Sequence, residues 1–200
     1  MRKTYTFLPI ASLVFTIFLS GCGYNSLVQL DERVNQSWAQ VENQYQRRAD
    51  LIPNLVKTVE GYADFEKSVL VEVTELRSKV GQVKISPDDL SDPEKFKKFQ
   101  DAQDELSGAL SRLLVVAENY PQLKANESFL NLQTQLEGTE NRIAVERKKF
   151  NEAVQEYNQT IRSFPTLITA KLFGFKEKQY FKSQPGMEKT PDVNFDFKKK

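Results

Sequence analysis

Apolar side chains recur at steps of three and four residues from Tyr24 to Val83. Only Asp31, Arg48 and Glu66 interrupt this stripe with polar side chains. Such spacing places the apolar groups on one face of a helix, and that face has to be buried against another element. The members of the stripe are Tyr24, Leu27, Asp31, Val34, Trp38, Val41, Tyr45, Arg48, Ile52, Leu55, Val59, Tyr62, Glu66, Val69, Val73, Leu76, Val80 and Val83.

A proline divides this stripe. Pro53 has no backbone N–H, and the residue before a proline avoids helical angles, so a helix boundary is expected between Asp50 and Pro53. The sequence therefore predicts two helices, over about residues 24–51 and 54–80, joined by a hairpin at Pro53. The alternative is one kinked rod, but half of its apolar stripe would then lack a partner.

Two further stripes predict helices over about residues 93–119 and 126–162. Asp92 and Pro93 form a good helix start, with the aspartate as the cap and the proline in the first turn. Residues 82–90 are expected to form a loop. The two stripes are Phe96, Phe99, Gln103, Leu106, Leu110, Leu113, Ala117 and Tyr120, and then Phe129, Leu132, Leu136, Thr139, Ile143, Glu146, Phe150, Ala153, Tyr157 and Ile161.

Four helical segments with short connections favour an all-α fold, an up-and-down antiparallel four-helix bundle over residues 22–164. At a rise of 1.5 Å per residue, three segments would be about 40 Å long and the last about 55 Å.

The N-terminal segment has the features of a bacterial lipoprotein signal peptide. Arg2 and Lys3 precede a mostly apolar run at residues 7–19, which is short for a bilayer-spanning helix. The run ends in Leu19, Ser20, Gly21 and Cys22, which resembles the lipobox whose cysteine sulfur receives diacylglycerol. We therefore predict that residues 1–21 are removed and that lipidated Cys22 anchors the protein. An uncleaved anchor, or an ordinary signal peptide with an incidental cysteine, is the alternative.

The composition limits the chemistry. The 200 residues, 40% of them apolar, suit one domain, and the absence of histidine argues against serine triads, zinc sites and the usual di-iron ligands. Without residues 1–21 the chain has 26 basic and 27 acidic residues, so its charge gives no case for a nucleic-acid partner. No phosphate-binding glycine loop or cofactor motif is present, and no cofactor is expected.

Several blocks of the sequence together resemble the LemA family. The first half contributes Tyr24, Asn25, Leu27, Val28, Leu30, Trp38, Gln40, Val41, Glu42, Gln46, Arg47, Arg48, Asp50, Leu51, Ile52, Pro53, Asn54, Leu55, Val56, Thr58, Val59, Gly61 and Tyr62. The second half contributes Glu118, Tyr120, Pro121, Leu123, Lys124, Ala125, Asn126, Phe129, Leu132, Gln133, Thr139, Glu140, Asn141, Arg142, Ile143, Tyr157, Asn158, Pro165, Gly174, Phe175 and Phe181.

The resemblance implies a four-helix bundle outside the cytoplasm, tethered by its N-terminus and without an established catalytic activity. Many members resemble single-pass proteins with an uncleaved N-terminal helix. This chain departs from them in carrying a lipobox, which changes the expected anchor and leaves the expected fold unchanged.

In an up-and-down bundle with a hairpin at Pro53, eight polar or aromatic residues should gather at the end opposite Cys22. They are Arg47, Arg48, Asp50, Asn54, Glu118, Tyr120, Lys124 and Asn126. Arg48 lies on the apolar stripe and needs a carboxylate if it is buried, and Glu118 is the candidate. This cluster either caps helix ends and pairs charges, or docks a partner.

Other polar residues on the stripes also need partners. The same mirrored arrangement places Asp31 near Ile143, where Arg142 or Arg147 would pair with it. Glu66 and Glu146 would be candidate carboxylate metal ligands, but the helical di-iron fold normally adds histidines, so no metal is expected.

Residues 165–183 form an amphipathic C-terminal segment in which aromatic residues alternate with lysines. Phe173, Phe175, Tyr180 and Phe181 are candidates for lying on the membrane surface, because the last bundle helix returns to the lipid end. Packing across the base of the bundle is the alternative. Residues 184–200 are expected to be disordered and weakly attracted to anionic lipid.

The sequence thus favours a non-enzymatic scaffold or adaptor in the bacterial cell envelope, anchored by lipid on the extracytoplasmic face and binding another envelope protein. In an organism with two membranes, Gly23 after the cysteine resembles the outer-membrane pattern. The alternative is a small-ligand sensor or binding module with a site between helices.

Overall fold

The computed structural model describes residues 7–62 and 65–182, with side chains from residue 23 onward, and all regular structure in these residues is helical. The helices are α1 (Phe7–Glu60), α2 (Lys67–Gln82), α3 (Pro93–Ala117), α4 (Pro121–Lys124), α5 (Glu127–Arg162) and α6 (Thr166–Phe173), and Pro87–Ser91 is a 3-10 turn. The predicted all-α class is confirmed. The predicted lipid attachment at Cys22 and the predicted disordered tail at residues 184–200 lie outside what the structure describes.

The predicted hairpin at Pro53 is wrong, because α1 continues through this proline to Glu60. Pro53 cannot donate to the carbonyl of Ala49, four residues earlier. The side chain of Arg77 on α2 replaces the missing donor, since its Nε lies 2.9 Å from the Ala49 oxygen. The helical backbone also buries Ile52 and Leu55 on either side of the proline, with 1% and 0% exposure, so the apolar stripe is continuous in space.

The chain reverses direction after α1 and again at two capped helix starts. Asp92 begins α3 as predicted, because its carboxylate accepts hydrogen bonds from the backbone N–H groups of Glu94 and Lys95 at 3.0 and 3.1 Å. Asn126 begins α5 in the same way and accepts from the N–H of Phe129 at 3.0 Å. The short helix α4 bridges the ends of α3 and α5.

Contacts between side chains establish the helix directions. Helix α1 runs antiparallel to α5, and α2 runs antiparallel to α3, whereas α1 and α3 run in the same direction. The pairs that show this are Arg33–Glu156 and Arg48–Glu140, Glu72–Arg112 and Lys79–Glu105, and Trp38–Phe99 and Arg48–Ser107. The helices differ in length more than the sequence predicted, because α2 is short and α1 extends beyond Pro53.

The apolar interior has two parts. The part nearer the start of α1 is aromatic, with Trp38 packed among Phe99, Phe150 and Phe181. The other part, nearer the end of α1, is mainly aliphatic and includes Leu113. A polar layer centred on Arg48 belongs to neither cluster. This polar layer is part of the candidate functional site.

Candidate functional site

Arg48 is buried in the middle of the helices, with only 1% of its surface exposed. One guanidinium nitrogen donates to Glu140 on α5 at 2.8 Å and also to Ser107 on α3. The other donates to the side chain and the carbonyl oxygen of Gln103 on α3, the latter at 3.3 Å. Three helices are therefore joined through one cation.

The ion pair of this layer opens toward solvent on one side. The Glu140 side chain is 36% exposed, and its second oxygen accepts from the Ser107 hydroxyl at 3.2 Å. A buried cation needs such bonds, because leaving it unpaired would cost several kcal/mol. The arrangement consequently holds α1, α3 and α5 in one register.

Tyr45 lies one helical turn before Arg48, whose guanidinium carbon is 5.2 Å from the centre of the ring. Burial raises the pKa of Tyr45 to about 12, although the nearby charges of Arg147 and Arg48 act in the opposite direction. The phenol therefore remains neutral at physiological pH. It is packed as a core aromatic against Phe99, with ring centroids 5.6 Å apart.

The predicted pairing of Arg48 with Glu118 is wrong. Arg48 lies twelve residues before Glu60, the end of α1, which corresponds to about 18 Å along the helix axis. The prediction placed Arg48 near the turn because it ended the helix at Pro53. With the true turn after Glu60, the residue level with Arg48 on α5 is Glu140.

Four of the predicted tip residues do lie near the real turn. Glu118 forms an ion pair with Lys124, and both side chains are about half exposed. Asn126 donates to the hydroxyl of Tyr62 at 2.9 Å, and the ring of Tyr120 packs on Phe65 with centroids 5.0 Å apart. These contacts close the tip between α1, α4 and α5.

The remaining three members of the predicted cluster lie elsewhere. Arg47, Asp50 and Asn54 are exposed and spaced three and four residues apart, so they share one outer face of α1. Asp50 accepts from Gln46 at 2.7 Å within the same helix. The predicted cluster is thus divided into a buried arginine layer, a closed tip and an exposed polar face on α1.

Asp31 has a different partner from the one predicted. Its carboxylate lies 3.1 Å from the ammonium of Lys178, which is 8% exposed, and not beside Arg142 or Arg147. Arg147 instead pairs with Asp104 at 3.0 Å. Helical periodicity could not predict this ion pair, because Lys178 lies in a segment outside the periodic stripes.

Residues 175–182, which we call the C-terminal strap, have no regular secondary structure. They lie against the aromatic part of the core. Phe181 is 6% exposed in the aromatic part of the core, while Phe175 and Tyr180 are half-buried. The candidate membrane-surface role of Phe181 is therefore wrong in this structure. Its side chain fills a gap between helices that the four predicted segments alone would leave open.

Phe173, by contrast, is 56% exposed and continues an apolar surface formed by α6 and by Phe164, two residues before this helix. Phe164, Ile168 and Leu172 are 81%, 61% and 77% exposed and follow one another at steps of four residues. We call these three residues the α6 ridge. None of the described residues covers the ridge.

The α6 ridge lies beside the start of the described side chains. Gly23 approaches Thr169 so closely that a methyl group at Gly23 would come within 3.4 Å of the threonine hydroxyl. The rings of Tyr24 and Phe173 are 4.8 Å apart. Gly23, which follows the predicted attachment point Cys22 in the sequence, and the apolar ridge therefore belong to the same end of the molecule.

The acidic side chains of the described residues are not grouped as metal ligands. No group of three or more cysteine, aspartate or glutamate side chains in this part of the chain is arranged to hold a metal ion.

A cleft of about 670 Å³ lies between α3, α5 and the C-terminal strap, with Asp104, Glu140 and Arg147 among its lining residues. Within the residues that the structure describes, no helix contains a stretch long and apolar enough to cross a membrane.

These features define an all-helical protein with a buried polar layer, an exposed apolar ridge and an extended strap. The sequence matches the LemA family over residues 37–195, and the chain belongs to that family, as its motifs predicted.

The chain is similar to several proteins that have been named. It is 28% identical to the magnetosome protein MamQ of Magnetospirillum gryphiswaldense, over 93% of this chain and 74% of that protein. It is 27% identical to magnetosome protein MamQ 2 of Paramagnetospirillum magneticum, over 93% and 73%. It is also 25% identical to protein LemA of Metamycoplasma hominis, over 73% and 63%.

Proposed function

We propose that this protein is a non-enzymatic scaffold or adaptor of the bacterial cell envelope, anchored through lipid on Cys22 at the extracytoplasmic face of a membrane. Its working unit is an up-and-down antiparallel four-helix bundle. Membership of the LemA family supports this proposal, and so does the relation to proteins named for the magnetosome. The observation that carries it is the exposed α6 ridge beside the anchor.

The α6 ridge is suited to a bilayer surface. Contiguous exposed apolar side chains are unusual on soluble proteins and mark contact surfaces. The exposed lysines Lys171 and Lys176 flank the ridge and would meet anionic headgroups. The two acyl chains of a diacylglycerol on Cys22 would hold the protein at the bilayer, and an apolar ridge at the same end of the molecule would lie against the same surface.

The membrane part of the proposal is tested in cells that express the full chain. Wild-type protein should incorporate an alkyne analogue of palmitate and sediment with membranes, whereas Cys22→Ala should lose the label and pass partly into the soluble fraction. Adding Ile168→Ser and Leu172→Ser to Cys22→Ala should release the remainder. Val115→Ser and Leu130→Ser, which alter exposed apolar residues away from α6, are the matched controls. An unlabelled wild-type protein in the cytosolic fraction would refute the anchor.

The adaptor part concerns the exposed polar face of α1. Arg47, Asp50 and Asn54 are not needed for any contact between helices in the described structure, so they are available to a partner. Crosslinking in intact envelopes should recover one dominant protein with the wild type. The variant Arg47→Ala with Asp50→Ala should lose it, while Lys148→Ala with Glu152→Ala, an exposed pair on α5, should keep it. Equal recovery with both variants would remove the α1 face from the proposal.

The second candidate function, a small-ligand binding module, is favoured by the cleft between α3, α5 and the C-terminal strap. A bound ligand would raise the melting temperature in proportion to the logarithm of its concentration. Arg147→Gln should abolish that shift if the cleft is the site, because this guanidinium lies in its wall. A metabolite screen that raises the melting temperature while no protein partner is recovered would favour this function over the adaptor.

A further inference from the structure

The C-terminal strap is held to the helices through its backbone by three amide side chains. Asn158 donates to the carbonyl of Lys178 and accepts from the N–H of the same residue, both at 2.9 Å. Asn151 makes the same pair of bonds with Phe181, both at 2.9 Å. Gln100 repeats the arrangement with Lys182 at 2.8 and 3.2 Å.

Each amide thus satisfies both backbone groups of one strap residue, as the neighbouring strand does in an antiparallel sheet. A bond between two backbone groups also joins the N–H of Gln179 to the carbonyl of Leu90 at 2.8 Å. Backbone bonds of this kind hold an extended segment whatever its side chains are. Selection among sequences must then come from pockets for particular side chains.

Two such pockets are present, three residues apart along the strap. Lys178 enters a buried site where Asp31 lies 3.1 Å from its ammonium and the Tyr157 ring centre 5.8 Å from it. Burial, assisted by the charge of Asp31, raises the pKa of Tyr157, so the phenol that lines this pocket stays neutral. The pocket therefore offers one carboxylate to one cation.

The second pocket receives Phe181. Its ring centre lies 6.0, 5.0 and 5.5 Å from those of Trp38, Phe96 and Phe150. The guanidinium of Arg147 covers the ring at 4.4 Å. A large flat apolar side chain is the group that such a box selects.

We propose that this groove is a binding site for extended peptides of the pattern Lys-x-x-Phe, which the protein's own strap occupies in cis. The partner is a segment of an envelope protein with this pattern, and it binds when the strap leaves. The inference deepens and rests on the proposed adaptor function. The proposal is supported by the three kinds of group in the groove. Amide side chains bind the peptide backbone, a carboxylate binds the lysine, and an aromatic box binds the phenylalanine.

The way the strap is attached is consistent with exchange. Gly174 ends α6 at a φ of 76°, a left-handed conformation that glycine adopts without strain, and the strap follows immediately. The side chains of Lys176, Glu177 and Lys182 are exposed, so only Lys178 and Phe181 are deeply inserted. Release of the strap breaks contacts that a peptide of the same pattern restores.

The test uses the purified full-length protein in detergent and a fluorescein-labelled synthetic peptide with the sequence of residues 176–182. The variant Lys178→Ser with Phe181→Ser empties the two pockets. A tethered segment competes at an effective concentration of about millimolar, so for a segment that binds with a Kd of about 0.1 mM this variant should bind the peptide about tenfold more tightly than the wild type. A control peptide with alanine in place of the lysine and phenylalanine of the pattern should not bind.

Two further measurements report on the site itself. Trp38 is the single tryptophan, so its emission should change when the peptide's phenylalanine enters the box and not with the control peptide. Asn151→Ala in the emptied variant should weaken peptide binding about tenfold, because two backbone bonds are lost.

Defined results would overturn the proposal. They are an emptied variant that keeps its melting temperature yet binds neither peptide, equal binding of both peptides, or a wild-type dimer formed by exchanged straps. If the emptied variant does not fold, a protease site inserted between Lys176 and Glu177 replaces it. After cleavage the labelled peptide should displace the severed strap, and a strap that cannot be displaced would show a purely structural role. Membrane fractionation of Cys22→Ala tests the proposed function separately.

Discussion

The continuity of α1 through Pro53 depends on one side chain from another helix. Arg77 supplies the donor that Pro53 lacks, at 2.9 Å from the Ala49 oxygen. A hydrogen bond from a charged group contributes about 1.5–3 kcal/mol when buried. Arg77 is only partly buried, so we expect Arg77→Met to lower the free energy of unfolding by about 1–2 kcal/mol. For a protein of this size that corresponds to a fall in melting temperature of about 2–8 °C.

A double-mutant cycle isolates this bond from the other contacts of Arg77. Pro53→Ala restores a backbone N–H that can donate to Ala49, and it should stabilise the helix because alanine is favoured over proline in helix interiors. In the Pro53→Ala background, Arg77→Met should have little further effect. The expected coupling is about 1 kcal/mol, above the error of such cycles.

The assay is thermal and urea unfolding of the full-length protein, followed by far-ultraviolet circular dichroism. Lys79→Met on the same helix is the control, because its exposed ion pair with Glu105 should be worth less than about 1 kcal/mol and should not couple to Pro53. If Arg77→Met costs the same in both backgrounds, the compensation of the missing N–H is refuted.

Three further predictions concern the buried polar groups. Arg48→Met should lower the free energy of unfolding by about 2 kcal/mol, because Gln103 is left buried without its donor. In urea unfolding, Arg48→Met combined with Gln103→Leu should recover most of that loss. A single Arg48→Met variant as stable as the wild type would contradict this prediction. Asp31→Asn should lower the melting temperature and, by weakening the lysine pocket, increase strap exchange measured by hydrogen–deuterium exchange at residues 178–182, whereas unchanged exchange would exclude its role in the pocket. The pKa of Tyr45 is about 12 in the folded protein and 10.0 in the unfolded chain. Its contribution to stability is therefore complete below pH 10 and is lost between pH 10 and 12. Across that range, the free energy of unfolding should fall less in Tyr45→Phe than in the wild type.

The exposed surfaces have different consequences for function. The α6 ridge and the proposed attachment point at Cys22 share one end, so a membrane at that end would leave the closed tip pointing away from the lipid. The groove of the C-terminal strap lies between these ends. An adaptor of this shape would present its peptide site to proteins in the same membrane.

The sequence alone was sufficient for the all-helical class, for the buried faces of the helices and for much of the core. The three-and-four spacing is a local property, and Leu27, Val34 and Trp38 are buried where the stripe placed them. The cap at Asp92 is equally local and was predicted correctly. The motifs also identified the family, because they depend on residue identity and not on the path of the chain.

Only the tertiary structure decided where α1 ends and which residues its buried polar groups meet. A proline predicts a boundary from its own chemistry, but Arg77, 28 residues away, supplies the missing donor to Ala49. Arg48 and Lys178 find their carboxylates across 92 and 147 residues of sequence, respectively, and no periodicity encodes such pairs. Local spacing fixes which face of a helix is buried, whereas the register between helices fixes which charges meet.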